Sequence, residues 1–249
     1  MGIALQTDSG DVYDRVSQRY SSFVSDAAPE FTVDLSVGTP EQYRSSIYVR
    51  ADGGAWRLTS HDFDGNLDLD RRCGRICHSP ESYAYDSALR IAYSFLTAMR
   101  GGFLLHAASA ARNGRAYVFA GVSGAGKTTL TRLGPPDVTI LTDEIAHVLP
   151  AAGGYVSSGT PFFGEFGRPG ENVSVPIEGL FLLAKGPENR LDDIPPAEAC
   201  RMLMRNILFF GQDAGLGRRI FDSALDFVRR IPVRLLTFRP EPSVWDLIE

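Results

Sequence analysis

Ala116-Tyr117-Val118-Phe119-Ala120 runs directly into Gly121-Val122-Ser123-Gly124-Ala125-Gly126-Lys127-Thr128, and this stretch decides the fold. The first five residues are apolar and suited to a buried strand. The next eight fit G-x-x-x-x-G-K-[ST] at every position. Thr129-Leu130-Thr131-Arg132-Leu133 then continues as a short helical segment. A strand, a glycine loop and a helix start in that order make a phosphate cradle. Gly121, Gly124 and Gly126 let backbone N–H groups turn inward around Ser123 and Ala125. The helix beginning at Thr128-Thr129 aims its positive end at the same place. Lys127 supplies a point charge for the β- and γ-phosphates, and the Thr128 hydroxyl is placed to ligate magnesium.

Downstream, Val138-Thr139-Ile140-Leu141 ends in Thr142-Asp143-Glu144. An acid at the end of a buried strand is the usual second half of a phosphate-loop site, where Asp143 or Glu144 holds magnesium or its water. Asp143 follows Lys127 by only 16 residues, and Gly134-Pro135-Pro136 ends the helix early. That hop leaves room for about two helical turns and a short loop, so the design is compact.

Further apolar runs at 103–108, 179–184 and 233–238 join 116–120 and 138–141 as five strand candidates. Helices are expected at 196–210, 217–230 and 243–248, the last capped by Ser243. Ahead of them, Ala88, Leu89, Ala92, Phe95, Leu96 and Met99 recur at helical spacing. Asp86 or Ser87 would cap that helix, and Gly101 sits where a left-handed cap belongs. Residues 1–85 read differently, as short antiparallel strands such as 31–35 and 46–49, with turns at Gly53-Gly54 and Asp64-Gly65-Asn66. The expected organisation is therefore α/β: a β-rich region over 1–85, with a place in acceptor recognition, and a nucleotide-binding domain over 86–249.

The 25 Lys and Arg against 30 Asp and Glu give a net charge of −5. No basic block exceeds two residues, which argues against nucleic acid as a partner. No apolar run approaches the length of a membrane span. The opening residues lack a secretory pattern, and Cys73, Cys77 and Cys200 are too few for a disulfide framework, so a reduced cytoplasmic setting is expected. Cys73-Gly74-Arg75-Ile76-Cys77-His78 does not have zinc-knuckle or haem-attachment spacing. Trp56 and Trp245 read as packing residues. The glycine-rich stretch 159–171 has the character of a loop covering a site. In it Thr160, Glu165, Arg168 and Glu171 are polar, Glu165 being a further candidate metal ligand and Arg168 a candidate for neutralising phosphate charge. Arg218 and Arg219 are either phosphate contacts or a solvated helix face.

With His106 in a strand, then Gly121–Thr128, then Asp143-Glu144, the chain resembles the kinase domain of HPr kinase/phosphorylase and its bacterial HPr kinase-related proteins over about residues 86–249. Ser158-Gly159-Thr160-Pro161 and Pro232-Val233-Arg234-Leu235-Leu236 are similar to stretches in those proteins. The acid pair here is Asp-Glu where that family carries Asp-Asp. The resemblance implies a phosphoenolpyruvate carboxykinase-like P-loop kinase fold and a serine kinase using ATP and magnesium. Asp143 would be the base that accepts the hydroxyl proton, Glu144 and Thr128 the magnesium holders, and Lys127 the phosphate holder. His106 would polarise a phosphate oxygen or orient Asp143. The expected acceptor is a hydroxyl on a protein, a peptide or a small molecule, and the family often forms oligomers. Two rival readings stay open: a nucleotide hydrolase or switch in which Glu144 polarises water, and a non-catalytic ATP-binding module that recruits a partner.

Overall fold

The computed structural model describes residues 1–40, 44–80, 82–211 and 213–248. Its contacts divide the chain into two compact units, Met1–Leu96 with Phe209–Gly217, and Thr97–Leu208 with Arg218–Glu249. The division falls inside a helix rather than ahead of it.

The first unit comprises β1 (Ile3–Gln6), α1 (Gly10–Arg19), β2 (Phe31–Val37), β3 (Tyr48–Asp52), β4 (Ala55–Thr59), β5 (Phe63–Asp68), β6 (Cys73–His78) and most of α2 (Ser82–Met99). Its six strands form one sheet in the order β1-β2-β6-β5-β4-β3. The β3–β6 half is antiparallel as expected, and Gly53 and Gly54 turn the β3–β4 hairpin at φ 59° and 91°. β1, β2 and β6 run parallel, which corrects the all-antiparallel expectation. The reason is α1, because a parallel neighbour needs a crossover and α1 provides it. α1 buries only Val12, so it leaves almost no helical periodicity to read. Gly65 lies inside β5 rather than in a turn, where a Cβ would collide with the Arg75 carbonyl on the neighbouring strand. Asp86 does not cap α2, which starts four residues earlier. It is buried inside the helix and accepts from Arg19 Nε at 2.8 Å, from Arg19 Nη2 and from the Tyr20 hydroxyl.

In the second unit the chain forms β7 (Phe103–Arg112), β8 (Arg115–Ala120), α3 (Lys127–Arg132), β9 (Thr139–Thr142), β10 (Ile145–Ala151), β11 (Gly154–Ser158), β12 (Ser174–Lys185), β13 (Arg190–Asp193), α4 (Pro196–Met204), most of α5 (Ala214–Arg230) and β14 (Val233–Phe238). The eight strands make one mixed sheet in the order β11-β10-β7-β8-β12-β14-β13, with β9 paired to β7. β8, β12 and β14 are parallel. β7 and β8 form a hairpin through Asn113-Gly114, both at positive φ (52° and 73°), as a two-residue type I′ turn demands.

The expected helix 196–210 stops at Met204 because Asn206–Leu208 is drawn to the edge of β7. There His106 N–H donates to Asn206 O at 2.7 Å and Leu208 N–H to Leu104 O at 2.9 Å. Residues 243–248 are a 3₁₀ turn (Pro242–Leu247) in which Ser243 caps nothing and accepts from Asn189 Nδ2. One face of the sheet carries α3 and this turn over a core of Phe119, Phe181, Leu130, Phe238 and Trp245. The Phe119 and Phe181 rings stack at 5.7 Å, and Trp245 Nε1 donates to Leu130 O at 3.0 Å. α5 packs its Phe227 against Phe103 and Tyr155. Among the described residues no helix is long and apolar enough to cross a membrane.

Candidate active site

The C-terminal ends of the parallel strands β8, β12 and β14 open on one side of the sheet, where α/β folds bind ligands. Gly121 leaves β8 there. Gly124 and Gly126 take φ of 75° and 104°, and Gly126 is the N-cap of α3. At Gly126 a Cβ would lie 2.7 Å from the Phe238 ring, so bare backbone is packed on an aromatic wall. Ser123 and Gly124 are exposed, Ala125 is buried, Thr128 is half-buried and Thr129 exposed. Lys127 is buried and donates to Gly121 O at 2.9 Å and Val122 O at 3.4 Å. Burial lowers its pKa from the ordinary lysine value, while the Glu144 and Glu165 carboxylates pull it partly back.

The acids arise from a bend between β9 and β10. Both strands pair with β7, and the ladder is interrupted at Asp143-Glu144. The buried Thr142 hydroxyl makes the bend, accepting from Glu144 N–H at 3.2 Å and Ile145 N–H at 3.1 Å. The Glu144 carbonyl accepts from Ala107 N–H, and Ala107 lies opposite Ala120 in β8. The acids and the start of the phosphate loop are therefore level in the sheet, separated by β7 alone. Two inter-strand steps place the backbones about 9–10 Å apart, a gap that side chains and a triphosphate can close.

Asp143 is buried, and its two carboxylate oxygens accept from Gly164 N–H and Phe166 N–H, each at 2.9 Å. These bonds pin the 159–173 loop, whose ends meet through Gly159 N–H and Val173 O. The same loop is tied to β9 by Glu171 N–H donating to Ile140 O at 2.9 Å. It is tied to α3 by Arg132, which donates to Glu165 O and stands 5.2 Å over the Phe166 ring. A cleft of about 220 Å³ lies between this loop and β9, lined by Val138, Ile140, Asp143, Phe166, Arg168 and Glu171 among others.

His106 is half-buried opposite Ile145 and alternates onto the sheet face that carries Ala108, Ala110 and α3. Glu165 and Arg168 are exposed on the loop. Arg218 pairs with Asp222 at 3.9 Å on α5. Thr160 is buried and donates to Ile145 O, a structural tie. In the first unit, Trp56 packs on Phe95 at 4.6 Å, and His78 is buried with Nδ1–H donating to Ser79 O. Among the described residues no three His, Cys, Asp or Glu side chains group as a metal cage. Magnesium needs no such cage beside a nucleotide, since it takes one or two carboxylates plus phosphate oxygens and water. The Thr128 hydroxyl with Glu144, Asp143 and Glu165 suits that role. Thr142, Phe238 and Arg132 are the parts of the site that sequence reading passed over. A Thr directly before two acids carried a signal for the bend; the Phe238 contact had none.

The family model described as ScmC, SynChlorMet cassette protein ScmC, matches residues 81–249. The chain belongs to the ScmC family. This overturns the resemblance to HPr kinase/phosphorylase. His106, the glycine loop and the acid pair that carried it do not by themselves specify a family. The match takes in the phosphate loop, the acid bend and the 159–173 loop, and it leaves out β1–β6. No curated protein matches the chain.

Proposed function

We propose that the chain is an ATP-dependent, magnesium-requiring phosphotransferase that delivers the γ-phosphate to a hydroxyl, serine being the simplest acceptor. The observation that carries this reading is the level placement of a complete phosphate loop and a buried, rigidly held carboxylate one strand apart. Phosphoryl transfer asks for positioning and charge neutralisation more than covalent chemistry, and these residues offer both. The loop amides and Lys127 hold the triphosphate; to do so Lys127 exchanges the Gly121 and Val122 carbonyls for phosphate oxygens. Thr128 and Glu144 would hold magnesium, which would supply positive charge to offset the negative charge of the phosphates. Asp143, fixed by two backbone donors, accepts the acceptor hydroxyl's proton as that oxygen bonds to the γ-phosphorus. The bond from phosphorus to the β-bridging oxygen breaks, and ADP leaves. His106 flanks the point where the phosphate loop leaves the sheet. Phosphate loop, short helix and acid strand in this compact order support a phosphoenolpyruvate carboxykinase-like P-loop kinase fold as part of the proposal, and a cytoplasmic setting belongs to the same proposal.

The test is incubation of the purified chain with γ-labelled ATP, magnesium and a lysate of its own source, with Lys127→Ala as control. A labelled protein, peptide or metabolite missing from the control supports the proposal. Release of inorganic phosphate with no labelled acceptor would replace it with the hydrolase or switch. ATP binding without any turnover would leave a recruiting module.

A further inference from the structure

The cleft beside Asp143 has a chemistry of its own. It is bounded by the outer edge of β9 and by residues 166–171, and it takes no residue from the phosphate loop. Asp143 lines this cleft together with Arg168 and Glu171. The carboxylates that act on the charge of Lys127 are Glu144 and Glu165.

Arg168 is exposed, and among the described residues no carboxylate pairs with it. Its backbone is nonetheless held on both sides, by Phe166 N–H on Asp143 and by Glu171 N–H on Ile140 O. An exposed arginine whose main chain is anchored two residues away at Phe166, and whose guanidinium pairs with no carboxylate among the described residues, can bind one from a ligand, and the Asp143 and Glu171 carboxylates in the same cleft leave Arg168 as its cationic group. At about 30 Å³ per water the cleft holds roughly seven waters, the size of one amino-acid unit and too small for a folded surface.

We infer that this cleft is the acceptor site, and that the acceptor carries a carboxylate within about one residue of the hydroxyl it offers, bound by Arg168. This rests on the kinase reading and changes the expected role of Arg168, which serves the acceptor rather than the transferring phosphate. The carboxylate could belong to an acidic residue beside a serine in a peptide, or to a free hydroxy amino acid.

The experiment uses the full chain with γ-labelled ATP and magnesium. The probes are single-serine peptide pools flanked by Asp/Glu, by Ala or by Lys, together with free L-serine and L-threonine. The acidic pool or the free amino acids should be labelled at least ten-fold faster than the neutral and basic pools, and which of the two leads identifies the source. Arg168→Ala should raise the acceptor KM about ten-fold or more with kcat and the ATP KM held. Arg168→Glu should turn the preference toward the Lys pool, and Arg168→Lys should recover part of the loss. Equal labelling of all pools overturns the inference, and so does an Arg168→Ala protein that loses kcat on every acceptor with KM intact. If no probe is labelled while the lysate still yields a labelled acceptor that Lys127→Ala abolishes, the kinase reading stands and this inference is overturned; if neither is labelled while ATP binds, the kinase reading, on which this inference rests, fails as well.

Discussion

Gly126→Ala tests the packing under the phosphate loop. Gly126 has φ of 104°, which costs a residue with a side chain about 1–3 kcal/mol. The new methyl would stand 2.7 Å from Phe238 Cζ, inside van der Waals contact, and the ring belongs to a filled core. Overpacking of that kind costs a further 1–3 kcal/mol or so. The total, about 2–6 kcal/mol, has only two places to appear. If the loop keeps its shape, the protein melts earlier, by roughly 5–20 °C at 2–4 °C per kcal/mol. If the loop shifts to escape the ring, the melting temperature holds and ATP affinity drops by about 30-fold or more, at ten-fold per 1.4 kcal/mol. Thermal melts and ATP titration by calorimetry on the same protein catch both. Phe238→Leu in the same chain should relieve the contact and leave the backbone strain, recovering about half of the loss. A Gly126→Ala protein normal in both measurements, or a double variant no better than the single, would refute the packing argument.

Three further outcomes are expected. Asp143→Asn should lower phosphoryl transfer about 10²–10⁴-fold, and its amide, facing the Gly164 or Phe166 N–H with a donor, should speed hydrogen exchange at those two amides; normal transfer would remove Asp143 as the base. Asp86→Ala strands the part-buried Arg19 and the Tyr20 hydroxyl, so the first unit should lose about 3–5 kcal/mol, read by denaturant titration; a loss below about 1 kcal/mol would contradict it. Burial pushes the His147 imidazole down to about 3. The unfolded chain takes up that proton near pH 6.5 and the folded chain does not, so stability is complete above pH 6.5 and falls by about 5 kcal/mol as pH drops toward 3; a His147→Leu protein should show a correspondingly shallower acid slope.

The parts of the fold most legible in the sequence were those where one local requirement dominates. Residues 103–105 and 116–120 are apolar on both faces, as strands buried between layers need, whereas 233–238 is interrupted by exposed Arg234. The phosphate-loop motif declared itself through its glycines, of which Gly124 and Gly126 take φ of 75° and 104°, and Gly101 occupies a left-handed cap at φ 73°. Asn113-Gly114 was an available hairpin signal that would have paired β7 with β8. What stayed hidden is set by distant parts of the chain. α4 ends early because β7 offers an edge to Asn206–Leu208, and Asp86 is buried because Arg19 and Tyr20 reach it from another helix. In the candidate site the acids could be read, but the attachment of Asp143 to Gly164 and Phe166 depends on how a loop about 20 residues away folds back, and no local pattern encodes that.

β7 is built almost wholly from small side chains where it divides the phosphate loop from the acids: Ala107, Ala108, Ser109, Ala110 and Ala111, nearly all of them fully enclosed. The separation between the glycine loop and Asp143-Glu144 is thus dictated by the rungs of the backbone ladder and hardly by side-chain bulk. Helices and loop tips are free to diversify around that gap, while a valine or leucine at position 108 would press on the layer packed over the sheet and leave the gap itself unchanged.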